Sequence, residues 1–195
     1  MKPLLIFGLR GTLLERIHSS RVPAGMPGGA ITVGMSRVWL RPGVIETLTA
    51  LQQHCTLAIW SSTTARNTSP IIEAVFCQQA KLNFAFVWSR EHTTADDFRR
   101  MSATSRDDQH ATVKDLREVY RRFPSIATPT NTVLIDDTPS KGKLNAGNFL
   151  WLETCEELKI EDPNVMPALR CFVEEQLLPQ KDVRRLLPVR IPFGH

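Results

Sequence analysis

The sequence predicts an α/β fold: a doubly wound parallel sheet with helices on both faces. Three observations predict it. Short apolar runs recur along the chain, stretches of helical spacing separate them, and the polar residues suited to chemistry fall just after the runs. Strands buried on both faces read as unbroken apolar runs, and their alternation with helical patterns favours parallel βαβ units.

Residues 3–7 form the first such run and stop at Gly8. Residues 15–36, with Pro23, Pro27, Gly28 and Gly29, predict a long loop or irregular hairpin. Residues 36–40 are short and apolar, and Arg41-Pro42-Gly43 closes them. Residues 44–54 are helical, with Val44, Leu48 and Leu51 at spacings of four and three. Residues 56–60 make a second buried strand, 61–64 a polar turn and 71–76 a helix, and 84–88 are a third apolar run. Residues 89–110 are polar and aperiodic, so they read as a surface excursion, disordered in the free chain. Residues 113–123 predict an amphipathic helix with Val113, Leu116, Tyr120 and Phe123 on one face, stopped by Pro124. Residues 132–135 and 148–152 are further strands. A last helix begins near Pro167 and carries Leu169, Phe172, Val173 and Leu177. Residues 1–178 are therefore expected to form the domain, and 179–195 an extended basic tail.

The chain has 195 residues, 42% of them hydrophobic and 23% charged, with a net charge of +4. That fits one core and permits a polyanionic partner without requiring one. No apolar run is long enough to span a bilayer, and the first run has neither the length nor the cleavage site of a secretory signal. Cys55, Cys77, Cys155 and Cys171 form no CxxC pair and have no histidine cluster, so they read as free thiols of a reducing compartment. The five histidines, His18, His54, His92, His110 and His195, are scattered and receive no role. Basic residues gather as Arg117, Arg121 and Arg122 on a predicted helix and as Lys181, Arg184, Arg185 and Arg190 in the tail. These are either solvated faces or contacts to nucleic acid or a partner.

Right-handed crossovers place the strand C-termini on one edge, where such folds carry their sites. That edge receives residues 8–12, then Ser61-Ser62, then Asp136-Asp137, with Lys114 expected at the start of the preceding helix. A hydroxyl and an ammonium suit phosphate oxygens, and paired carboxylates suit Mg²⁺.

In order and spacing these segments resemble the HAD phosphatase superfamily, in its CTD-phosphatase-like (NLI-interacting-factor-like) branch. Residues 4–13, LLIFGLRGTL, resemble its first motif, an apolar strand followed by Asp-x-Asp-x-Thr-Leu. Residues 40–43, LRPG, are similar to its Arg-Pro-Gly segment; 58–62, AIWSS, to its second motif, with Ser61 at the Ser/Thr; and 90–92, REH, to an Arg-Glu-x-Cys segment. Residues 113–116, VKDL, match the segment with its motif-three lysine, 133–139, VLIDDTP, the fourth motif, and 145–152 the strand that follows. The resemblance covers residues 3–152 and implies a HAD-like domain with a small cap or none, open to macromolecules.

It also implies that the first motif's aspartates are the nucleophile and the general acid-base. This chain has Gly8 and Arg10 there. Glycine offers no attacking oxygen, and arginine keeps its proton. The chain is therefore expected to be a pseudophosphatase needing neither metal nor cofactor. It would act as a scaffold for a protein or ribonucleoprotein, as in ribosome or mitoribosome structure or assembly. Thr12, Ser61 and Lys114 would be a relic anion pocket. Arg10, paired with Asp136 or Asp137, would be a structural clasp replacing the metal. The competing readings are a Mg²⁺-dependent protein phosphatase with an atypical nucleophile, Asp136, Asp137 or Cys155, and an RNA-contacting subunit using the basic helix and tail. The expected setting is intracellular: a mitochondrion, from the charge and the family's presence in import machinery, or else the nucleus or cytosol. Loop 15–36, the excursion and the tail's Leu186, Leu187, Ile191 and Phe193 are the expected partner contacts.

Overall fold

Successive residues of a strand face opposite sides of its sheet, and strand β1 (Leu4–Phe7) buries all four side chains. Leu5 and Phe7 enter one core cluster, and Leu4 and Ile6 enter another. The apolar run is thus the imprint of a strand covered on both faces. A computed structural model of the chain describes residues 1–105, 109–155 and 162–192.

β1 lies in a six-stranded parallel sheet with β5 (Thr56–Trp60), β6 (Val87–Trp88), β9 (Thr132–Asp136), β10 (Phe149–Leu152) and β11 (Val189–Ile191), in the order β11-β10-β9-β1-β5-β6. On one face pack helix α1 (Val44–Leu51), helix α2 (Ala65–Ile71) with its wider π-type continuation Ile72–Gln79, and α5 (Val165–Cys171), continued likewise over Phe172–Leu177. The other face receives Leu116 and Val119 of α4 (Leu116–Arg122). Strand order runs outward both ways from β1, so the crevice lies at the C-terminal ends of β1 and β9.

Local structure departs from the sequence reading in five places. Residues 15–36 are not merely a loop: β2 (Leu14–His18) and β3 (Ile31–Val33) flank β4 (Ser36–Leu40) in an antiparallel sheet. The Trp39 indole donates to Pro27 O at 2.9 Å and fastens the connecting segment. The third apolar run contributes only Val87–Trp88 as strand. The excursion carries β7 (Thr94–Ala95), paired with β8 (Thr112–Val113), and helix α3 (Asp97–Met101); its residues 106–108 lie outside the described residues. Asp96 binds α3 to the body by accepting from Lys143 at 2.5 Å.

The helix predicted over 113–123 begins only at Leu116, capped by Asp115, whose carboxylate accepts from Arg117 N at 3.0 Å. Val113 shares the apolar spacing because it is a buried strand residue just before the cap. The basic tail is no free arm. Val183, Leu187 and Ile191 are buried, and β11 supplies the hydrogen-bonding partner that the edge of β10 would otherwise lack. Leu187 and Ile191 are therefore core residues, not partner contacts, and Leu186 is half-buried against the same core. Phe193 and His195 lie outside the described residues.

Most of the predicted basic contacts are neutralised within the chain. Arg117 pairs with Asp115, Arg121 and Arg122 with Glu118, Arg184 with Asp182, and Arg190 with Glu153 while lying over the Trp151 ring. Lys181 and Arg185 are exposed. The four cysteines are free, and burial pushes the Cys55 thiol up to about 12. No helix among the described residues is long and apolar enough to cross a membrane.

Because Ile191 is fully buried, Ile191→Ala should cost about 2–5 kcal/mol in urea unfolding, whereas the exposed Arg190→Ala should cost under about 1 kcal/mol. Equal, small effects would return residues 179–195 to the status of a tail.

Candidate functional site

The loop leaving β1 turns sharply because Gly11 adopts φ 81°, and a side chain there would also strike the Asp137 carboxyl, whose Cγ lies 2.6 Å from the ideal Cβ position. Arg41 holds this loop from beneath. Its buried guanidinium donates to Thr12 O at 2.8 Å, to Gly11 O at 2.9 Å and to Glu153 O. Burial pushes Arg41 below the usual arginine range. The sequence marked the Arg-Pro-Gly segment but not this duty, which joins carbonyls far apart in the chain.

The structure brings together Thr12, Ser61, Lys114, Asp136 and Asp137 around a cleft of 520 Å³. Lys114 is fully buried and donates from Nζ to Asp136 Oδ2. It does not start the helix. It follows β8, where its backbone N donates to Lys141 O at 3.0 Å and its carbonyl accepts from Asn145 at 2.5 Å. Asp136 Oδ1 accepts from Thr138 N at 3.0 Å, and Asp137 Oδ1 from Thr12 Oγ1 at 3.0 Å. Burial, then the neighbouring Asp136, raise the Asp137 carboxyl to about 6. Ser61 bonds Thr63 Oγ1 at 2.9 Å, which continues to Thr68 at 3.0 Å.

Arg10 does not make the expected clasp. Its Nε donates to Glu15 Oε1 at 2.6 Å, because β2 turns back beside the loop and brings a buried carboxylate within reach. The cation facing Asp136 is Lys114. At Gly8 the space for a side chain is already taken: an ideal Cβ would meet Thr12 Oγ1 and lie 2.7 Å from Asp136 Oδ2.

Three cleft cations escaped the sequence reading. Arg90 donates to Ser62 O at 3.1 Å, Arg99 to Ser140 at 2.8 Å, and Lys141 to Thr112 O at 2.8 Å and Thr112 Oγ1 at 3.0 Å. Burial, then Lys114 nearby, lower Lys141 to about 8. Lys141 was findable, two residues beyond the Asp-Asp-Thr-Pro segment. Arg99 was not, because its place depends on how the excursion folds back. The lining carries five basic side chains (Arg10, Arg90, Arg99, Lys114, Lys141) against three acidic ones (Glu15, Asp136, Asp137).

Mg²⁺, which the fold family implies, prefers a near-octahedral oxygen shell. The residues present do not fit it. An ammonium holds one Asp136 oxygen and a backbone N–H the other, Asp137 is engaged by Thr12, and position 8 supplies no carboxylate. Among the described residues no three His, Cys, Asp or Glu side chains cluster as metal ligands.

A parallel α/β sheet with Thr, Ser, Lys and Asp converging at its central strand ends defines a HAD-type domain. The chain belongs to the NLI interacting factor-like phosphatase family, whose profile matches residues 3–184. No curated protein matches it. Among solved structures it is similar to the fission yeast RNA polymerase II CTD phosphatase Fcp1-R271A bound to beryllium fluoride. Identity there is 18% and the TM-score 0.52, over 78% of this chain and 42% of that one, so this chain spans less than half of the solved Fcp1 chain. A putative haloacid dehalogenase-like hydrolase from Bacteroides fragilis matches at 12% identity and TM-score 0.52, over 99% of this chain and 98% of that one. At these identities the likeness is one of fold.

Two outcomes follow. Lys114→Met leaves Asp136 buried and unpaired and should cost about 3–5 kcal/mol, while adding Asp136→Asn should recover much of the loss; strict additivity in the double-mutant cycle would refute the pairing. A raised carboxyl favours the fold below the unfolded pKa and loses that contribution as pH rises through about 6. Asp137→Asn should therefore raise the melting temperature at pH ~8, with a smaller gain at pH ~4.5; a gain that grows on acidification would refute it.

Proposed function

We propose that the chain is a catalytically inactive member of its phosphatase family, serving as a scaffold subunit that binds a protein or ribonucleoprotein. One observation carries this: at Gly8 the room for a nucleophilic side chain is filled by the Thr12 hydroxyl and the Asp136 carboxylate. Covalent phosphoryl transfer needs an attacking group in that place. Arg10, committed to Glu15, cannot donate a proton to a leaving alkoxide. Lys114 supplies the positive charge that Asp136 requires, so the pocket keeps its shape without catalysing anything.

The cationic lining of the cleft suits an anionic surface, whether an acidic protein segment or RNA phosphate in a ribosome or mitoribosome or its assembly machinery. The basic helix and tail support RNA less, because most of their arginines are paired within the chain. For the rival reading of an active phosphatase, Asp136 is bound to Lys114, Asp137 lies against Gly11, and Cys155 is fully buried.

Incubation with p-nitrophenyl phosphate and Mg²⁺ should give no turnover above buffer. Turnover that disappears in Asp136→Ala would establish the enzyme and end the scaffold proposal.

A further inference from the structure

The segment 61–67, the turn after β5 and the first residues of α2, borders two cavities. Ser61 and Thr63 line the cleft described above, and Arg66 and Asn67 line a second cavity of 300 Å³ behind it. One wall of the second cavity is β2 with the β3–β4 turn, and the other is α2. Its polar lining includes Arg16, His18 and Arg66, and among the described residues no acidic one lines it; Val33, Met35, Pro70 and Ile71 supply apolar surface.

The carboxylate that attracts Arg16 is the adjacent Glu15, but Arg16 makes no ion pair among the described residues. Its Nε is buried with no hydrogen-bond partner, and Nη1 reaches only the neutral Ser36 hydroxyl at 3.2 Å. The adjacent Glu15 carboxylate is taken by Arg10 and by the backbone N of Arg16 itself. Burial, then the nearby Arg10, push Arg16 below the usual arginine range. Arg66, on the facing helix, is exposed and makes no ion pair among the described residues. At the rim Met35 is 70% exposed, a flexible apolar side chain suited to adaptable contacts.

We propose that this cavity docks an acidic segment of a partner protein. Arg16 and Arg66 receive a carboxylate, and a neighbouring apolar side chain seats against Val33, Met35 and Pro70. Arg16 lines the cavity and Arg66 stands exposed across it, and a guanidinium matches a carboxylate's oxygens. The apolar wall favours a peptide over nucleic acid, since among the described residues the one aromatic ring on the lining is the His18 imidazole, whose Nδ1 is hydrogen-bonded to Ser20 Oγ at 2.7 Å. The site does not depend on whether the strand-end cleft turns over phosphate.

Fluorescence anisotropy tests this with the full chain and a labelled peptide alternating glutamate and leucine. Controls are the glutamine–leucine peptide and labelled oligouridylate. The acidic peptide should bind and the glutamine peptide should not. Arg16→Gln and Arg66→Gln should each weaken binding about tenfold or more. Arg66 is exposed, so its variant will fold even if Arg16→Gln does not. No binding of the acidic peptide, equal binding of the glutamine peptide, indifference to Arg66→Gln, or oligouridylate binding that the acidic peptide cannot displace would each overturn the proposal. None of these outcomes bears on the phosphatase assay.

Discussion

The ion pair between Lys114 and Asp136 lies at the floor of the cleft, with both side chains almost wholly withdrawn from water. Either charge alone would be costly there, and the two are tolerable only together and with their remaining hydrogen-bonding groups engaged. Thr138 N supplies that engagement for Asp136, and the backbone of Lys114 is fixed through Lys141 and Asn145. The pair ties the segment after β8 to the end of β9, and the geometry of Thr12, Asp137 and Gly8 follows from where that carboxylate is held.

Around this pair the chain uses charge as internal structure. Arg41 gathers three carbonyls beneath the first loop, Arg10 neutralises the buried Glu15, and Lys143 secures Asp96 under the excursion. Arg41 and Lys143 find their partners in distant parts of the sequence, whereas Arg10 finds its partner five residues on. The cations left over, Arg90 and Lys141 in the cleft and Arg16 and Arg66 behind it, meet mostly neutral acceptors or none among the described residues, and they make the lining of both cavities cationic.

Membership of a phosphatase family sits without contradiction beside a cleft whose polar groups are engaged within the chain. The hydroxyls and the lysine at the strand ends are engaged with one another's neighbours inside the chain. Thr12 now bonds Asp137, and Ser61 bonds Thr63. A structural role of this kind is enough to retain them.

The sequence by itself determined the strand–helix alternation, the edge on which the polar residues meet, and the presence of Gly8 and Arg10 after the first apolar run. Apolar runs and their spacing report burial on one or two faces directly, and residue identity alone rules on an attacking oxygen. Only the tertiary structure decided which charges pair. Arg10 reaches Glu15 because β2 folds back beside the first loop, and the basic C-terminal residues become the sixth strand because β10 has an open edge. Val113 was read into the helix because strand and helix patterns coincide over so short a stretch, and Asp115 marks the true start. Pairing partners and edge closure are long-range properties, set by which segments pack side by side, and local residue order does not encode them.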